Sequence, residues 1–208
     1  MLTKPTIAVL GTFDTKGEEH LFLKRAIESN GLSALSVNIG TRTSSPFPVD
    51  IDLFAEQAEY DGRDEAIGSM LKRGRKQIRD LYDQGRIQAV ISAGGGSGTH
   101  LCTGIMRVLP LGVPKLMVST VASRDMSTIV GTKDITMMHS VVDLLGVNRI
   151  SGAILHKAAA AVGAMARSQW QPENQGKRVA LSFFGFITQA AEQVKAYLQD
   201  LGLSLIHI

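Results

Sequence analysis

Between Gly94 and Thr99 the chain reads Gly-Gly-Gly-Ser-Gly-Thr, directly after the apolar run Ala89-Val90-Ile91. Glycines let backbone amides approach an anion closely, and a following helix N-terminus adds a partial positive charge. Ser97 and Thr99 add hydroxyls. No Lys-Ser/Thr pair follows Gly98, so this is not a Walker loop, and no G-x-G-x-x-G register fits. The plain structural alternative is a tight turn needing positive φ. Three further segments leave apolar runs with polar residues. Gly11-Thr12-Phe13-Asp14-Thr15-Lys16-Gly17-Glu18 offers a lysine that could reach a phosphate. There Asp14 or Thr15 could equally cap a helix, with Thr15 and Glu18 forming a capping box. Ser119-Thr120-Val121-Ala122-Ser123-Arg124-Asp125 carries three hydroxyls and an Arg–Asp pair. Gly131-Thr132-Lys133-Asp134 precedes Ile135-Thr136-Met137-Met138, read as a helix that Asp134 caps.

Other chemistry is poorly represented. The five histidines show neither H-x-H nor H-E-x-x-H spacing, so no dedicated metal site is expected. His100, beside the glycine segment, could contact a ligand. Cys102 falls inside a helical pattern and reads as a small core residue. No G-x-S-x-G elbow occurs, which disfavours an α/β serine hydrolase. Lys72, Arg73, Arg75, Lys76 and Arg79 share one helix and read mainly as its solvated face.

The elements that would carry these segments alternate. Strands are expected at Ile7 to Leu10, Leu32 to Ile39, Gln88 to Ser92 and Lys115 to Ser119. Helices are expected at Gly17 to Asn30, Asp64 to Gln84, Thr99 to Leu109 and Ser151 to Ser168. Thr41 to Pro48 reads as a loop. Such alternation predicts a doubly wound, Rossmann-like parallel sheet with helices on both faces. Ligands of such sheets bind beyond the strand C-termini, where strand order reverses. Val179 to Ser182, a helix, and then Gly202 to Ile206 repeat the opening of the chain.

The 208 residues are 44% hydrophobic, enough for a core, and the net charge of +3 is too small to indicate nucleic acid. No uncharged apolar run is long enough to span a membrane, and no secretory signal opens the chain. The single cysteine suits a reducing cytoplasm.

Gly11 to Gly17, the glycine segment, Pro110 to Thr120, Asp134 to Met138, Val141-Val142-Asp143 and Gly146 to Ser151 occur in that order. Together they closely resemble the Tm-1-like ATP-binding family, also called UPF0261, over the chain to about Gly202. Its namesake is a plant protein that restricts tobamovirus replication. The family usually reads G-G-S-G-G-T where this chain has its glycine segment. The resemblance implies two α/β subdomains in a longer protein. The first would be complete over 1–170, a linker would follow at 171–177, and 178–208 would open a second, truncated subdomain. It also implies ATP as ligand, with phosphates on the amides of Gly95 to Gly98, assisted by Thr99 and Lys16. Gly11, Thr12, Asp14, Gly94, Ser119 and Thr120 would line the crevice, and Asp14 could position Mg²⁺ through waters. Hydrolysis is not implied, since neither a Walker lysine nor an obvious base is present.

Two other classes stand beside this one. A metabolic enzyme could hold a small carboxylate or phosphate on the same glycines, with Asp14 or His100 transferring protons. An interaction protein could instead bind a macromolecular partner. The helix Ser151 to Ala166 offers an apolar face that a homodimer could use.

Overall fold

The computed structural model describes residues 4–54, 62–168 and 177–207. The chain divides into two compact units, Met1–Ser168 and Gln169–Ile208. In the first unit the strands are β1 (Thr6–Gly11), β2 (Ser33–Asn38), β3 (Ile51–Asp52), β4 (Ala89–Gly94), β5 (Lys115–Ser119) and β6 (Ile135–His139). The helices are α1 (Phe13–Ser29), α2 (Arg63–Asp83), α3 (Gly96–Met106), α4 (Ser127–Val130) and α5 (Arg149–Arg167). The sheet order is β3-β2-β1-β4-β5-β6 with every pairing parallel, the doubly wound arrangement that the alternation predicts.

β1 shows why Ile7 to Leu10 are four apolar residues in a row. Ile7 and Val9 join one core with Leu23 and Ile27 of α1 and Leu155 and Val162 of α5. Ala8 and Leu10 join the opposite core with Met70 and Ile78 of α2 and Ile105 of α3. A strand covered on both faces has no polar side to present. Burying one such Ile or Leu contributes roughly 2 kcal/mol. α2 presents Met70, Gly74, Ile78 and Leu81 inward. A Cβ on Gly74 would lie 2.4 Å from Ile105 Cδ1, so the missing side chain is what lets α2 approach α3.

Three local expectations are corrected. Ile135 to Met138 is not a helix but strand β6, in register with β5 from Lys115↔Ile135 to Ser119↔His139. Asp134 therefore caps nothing. It accepts the Gly112 amide at 2.7 Å and pairs with the fully buried Lys115 at 2.8 Å. Burial alone would raise this carboxyl. The hydrogen bonds from Lys115 and Gly112 outweigh it and hold the pKa below the usual range.

The second correction is at the start of α1, where an extra helical turn from Phe13 precedes a kink at Lys16 and the helix expected from Gly17 follows that kink. No Thr15–Glu18 capping box forms, and no side chain caps from Thr12. Instead Asn38 Oδ1, at the end of β2, accepts the Phe13 amide at 3.0 Å and the Gly40 amide at 2.9 Å. A genuine capping box occurs at α5, between Asn148 and Ser151.

Third, α3 starts at Gly96 rather than Thr99, so the glycine segment is itself the first helical turn. The strand β3 and the short helix α4 have no counterpart in the sequence reading.

The second unit contains β7 (Arg178–Leu181), a 3₁₀ turn at Gly185–Ile187, α6 (Thr188–Asp200) and β8 (Ser204–His207). β7 and β8 pair in parallel, the strand–helix–strand pattern read from the sequence. Gly202, at φ 75°, ends α6 in the left-handed conformation that glycine adopts freely. The predicted linker lies, over 171–176, outside the described residues.

Candidate functional site

Strand order reverses at β1, whose neighbours are β2 on one side and β4 on the other. The crevice beyond the C-terminal ends of β1 and β4 is the expected ligand position in such a sheet. A cavity of about 320 Å³ lies there, lined from the β1 side by Thr12, Asp14, Thr15 and Lys16. Ser97 of α3, Thr41 and Arg42 after β2, and Arg63 and Ile67 of α2 complete the lining, and Arg63 Nη2 donates to Ser97 Oγ at 3.1 Å.

The α3 wall has an unusual composition. None of Gly94, Gly95, Gly96 or Gly98 has a positive φ, so the tight-turn explanation for these glycines does not apply. A Cβ on Gly96 or Gly98 would meet nothing within 4 Å. Neither conformation nor packing therefore requires glycine at those two positions. No side chain caps α3, whose N-cap is Gly95. Its first amides have no intrahelical acceptor and carry the positive end of the helix dipole.

The β1 wall is held from beneath by His20. The ring is fully buried and lies against Gly11, where a Cβ would come within 2.1 Å of Nε2. Its Nδ1 sits 2.6 Å from the Lys16 carbonyl oxygen, and the Ala93 amide approaches Nε2 at 3.4 Å. Both contacts are satisfied by the neutral ring with its proton on Nδ1. Burial lowers its pKa from 6.5 to about 4. His20 thus ties the non-helical turn at Lys16 to the end of β4. The absent side chain of Gly11 is what makes room for this packing.

Other sequence-predicted residues divide clearly. Thr12, Asp14, Lys16 and Ser97 come together at the cavity. Lys16 Nζ donates to the Leu144 carbonyl. Asp14 Oδ2 accepts the Arg42 amide at 3.0 Å, while Oδ1 is buried without a hydrogen-bond partner. Thr99 and Ser119 are fully buried and share a 2.7 Å hydrogen bond, linking α3 to β5 below the crevice. Thr120 donates its amide to the Gly94 carbonyl at 3.1 Å. His100 is exposed and does not line the cavity. Cys102 is buried, and desolvation pushes its thiol up to about 12, leaving no thiolate at neutral pH.

Thr41, Arg42, Arg63 and Ile67 were not among the residues singled out from sequence. The available signal was position. Thr41 and Arg42 follow the C-terminal end of β2, and every strand of a parallel sheet delivers its C-terminal connection to this side. Among the described residues no group of three or more His, Cys, Asp or Glu could hold a metal ion, and no helix is long and apolar enough to cross a membrane.

Comparison with known proteins adds a family. Residues 5–171 match the model described as the uncharacterised protein family (UPF0261) N-terminal domain. The chain is 41% identical to a UPF0261 protein of Mesorhizobium japonicum over 93% of its own length and 50% of the relative's. It is 35% identical to a UPF0261 protein of Clostridium tetani, covering 96% of this chain and 52% of the relative. The ToMV susceptible protein tm-1(GCR26) of Solanum lycopersicum is 28% identical, over 93% of this chain and 30% of that protein. The chain thus spans about half the length of these bacterial relatives.

Proposed function

The chain belongs to the UPF0261 family, Tm-1-like at its N-terminal domain, and on that premise we propose that its crevice binds ATP. The phosphates rest on the uncapped amides at the start of α3, with the hydroxyls of Ser97 and Thr12 beside them. One observation carries the reading. Gly96 and Gly98 stand at a helix start that needs glycine for neither backbone angle nor space. A close-approaching ligand is a reason for omitting both side chains. Lys16 supports the phosphates by exchanging the Leu144 carbonyl for a phosphate oxygen. Thr99 and Ser119 hold the start of α3 in place from below. The unpartnered Asp14 Oδ1 is a hard oxygen donor, and Asp14 would hold Mg²⁺ arriving with the nucleotide. The metal would supply neutralisation of phosphate charge.

The test is isothermal titration with ATP and Mg²⁺ of the wild type and of Gly96→Asp. The variant should fold, because its Cβ enters open space and an acidic residue in a first helical turn is favourable. It should bind at least about fivefold more weakly, since a like charge beside a phosphate costs about 1 kcal/mol even fully hydrated. Equal binding by a folded variant would move the phosphates elsewhere. No binding by the wild type would remove the nucleotide reading. The cavity, near the lower end of the roughly 300–1,000 Å³ typical of ligand pockets, would then favour a small carboxylate or phosphate substrate.

A further inference from the structure

The connection from β6 to α5, residues 140–148, is held in a conformation that its own residues disfavour. Val141 has a φ of 65°, the one positive value at a non-glycine among the described residues. The Val142 amide donates to the Ser140 carbonyl at 2.7 Å, so Val141 is the centre of a three-residue turn. With positive φ that turn is rare and strained, and a β-branched residue suits it least. Ser140, fully buried, fixes it from one side. Its hydroxyl donates to the Val142 carbonyl at 2.6 Å and its amide to the Ser119 carbonyl at 3.1 Å. Val141 gains no burial in return, being 67% exposed, and Leu145 is 85% exposed. Such strain persists only where the surrounding structure enforces it. Two ties from α1 do so. Lys16 Nζ donates to the Leu144 carbonyl, and the buried Glu19 accepts the Gly146 amide on Oε1 at 3.0 Å. Of these two residues, Lys16 also lines the crevice.

Resting on the phosphate-binding reading above, we infer that residues 140–148 form a strap whose conformation reports occupancy of the crevice, with Lys16 as the shared contact. A phosphate oxygen attracts the ammonium more strongly than the neutral Leu144 carbonyl does, because both partners are then charged. Drawn to the phosphates, Lys16 leaves that carbonyl without its donor. The Gly146–Glu19 bond is then the one tie set against the strain at Val141, and the strap relaxes. The Leu144 side chain stays in the core with Leu23 and Leu155, so the change is confined to the strap. The other hydrogen bond of Leu144 runs from its amide to Asp143 Oδ1, at 2.8 Å, and moves with it. The coupling is reciprocal. Whatever fastens the strap to Lys16 competes with the ligand, and whatever draws the strap away favours it. The exposed Val141 and Leu145 are the side chains that the change displaces, so occupancy is signalled at the surface beyond β6.

The experiment follows amide hydrogen exchange of the whole chain, alone and with ATP and Mg²⁺, in the wild type and in Lys16→Met. Titration of the same samples sets a saturating ATP concentration. In the wild type, peptides covering 141–147 should exchange at least about tenfold faster with ATP bound, the worth of one hydrogen bond to a charged group. Those covering β1 and β4 should slow or stay as they are. A ligand that binds the folded state ordinarily slows exchange, so acceleration is a readout that binding alone does not produce. Lys16→Met keeps the apolar stem without the charge, and its strap should exchange fast without ATP. Circular dichroism checks its fold, and if it does not fold the wild-type comparison decides alone. If ATP binds and 141–147 exchange at an equal or lower rate, the strap inference is overturned and the phosphate-binding reading stands. A folded Lys16→Met whose strap exchanges as slowly as the wild type's overturns the inference too. If the wild type binds no ATP, that reading is overturned and the inference falls with it.

Discussion

At the scale of single residues, the site is organised by a histidine that no ligand is needed to explain. His20 occupies the space left by the absent side chain of Gly11 and bonds to both crevice walls through Lys16 and Ala93. Its burial has a consequence for stability. The unfolded chain protonates this ring near pH 6.5, the folded chain only near pH 4. Between those values the unfolded state binds the extra proton, so His20 favours folding fully above about pH 6.5 and progressively less as pH falls towards 4. At about 1.4 kcal/mol per pKa unit, the loss between pH 7 and pH 5 comes to about 2 kcal/mol. Urea unfolding at those two pH values should show this drop in the wild type and a much smaller one in His20→Gln. Equal drops would mean that the ring titrates normally. The sequence offered no way to separate His20 from the other four histidines, because the burial that distinguishes it comes from three elements packing around it.

At the scale of elements, the long periodic segments were legible and the boundaries at the site were not. α2 and the central strands follow their hydrophobic pattern closely. The turn from Phe13 that precedes the expected helix was missed because its first amide is capped by Asn38, 25 residues away, rather than by a local side chain. β6 was misread because Asp-Ile-Thr-Met-Met is locally compatible with a capped helix. Pairing with β5 decides otherwise, and Asp134 anchors that edge to Lys115 and the Gly112 amide. Lys115 Nζ also donates to the Pro110 and Val113 carbonyls at 2.8 and 2.6 Å. Asp134→Ala should therefore leave a buried ammonium without its counter-charge. Because Asp134 is 42% exposed, the expected cost is moderate, about 1–3 kcal/mol. Amide exchange across 135–139 should accelerate before that of the inner strands. Unchanged exchange there would show that the ion pair does not secure the edge.

At the scale of the whole molecule, the unit Met1–Ser168 has a six-stranded sheet and two cores of its own, one on each face. A chain ending at residue 171, the limit of the family match, should therefore unfold in a single cooperative transition and retain the ATP titration of the full 208 residues. Loss of either would show that the remaining 37 residues complete the first unit, 208 less 171. The sequence by itself determined the α/β class, the parallel sheet and the segments that leave the strand ends. Hydrophobic periodicity is a local property, and crossover rules limit how the resulting elements can be joined. Only the tertiary structure decided which of those segments meet. Thr12, Asp14, Lys16 and Ser97 converge on one cavity, whereas Thr99 and Ser119 turn inward to each other. Arg42 and Arg63 come to that cavity from segments whose sequence carries no motif. Strand order sets these neighbours, and strand order is fixed by long-range pairing rather than by any short stretch of the chain.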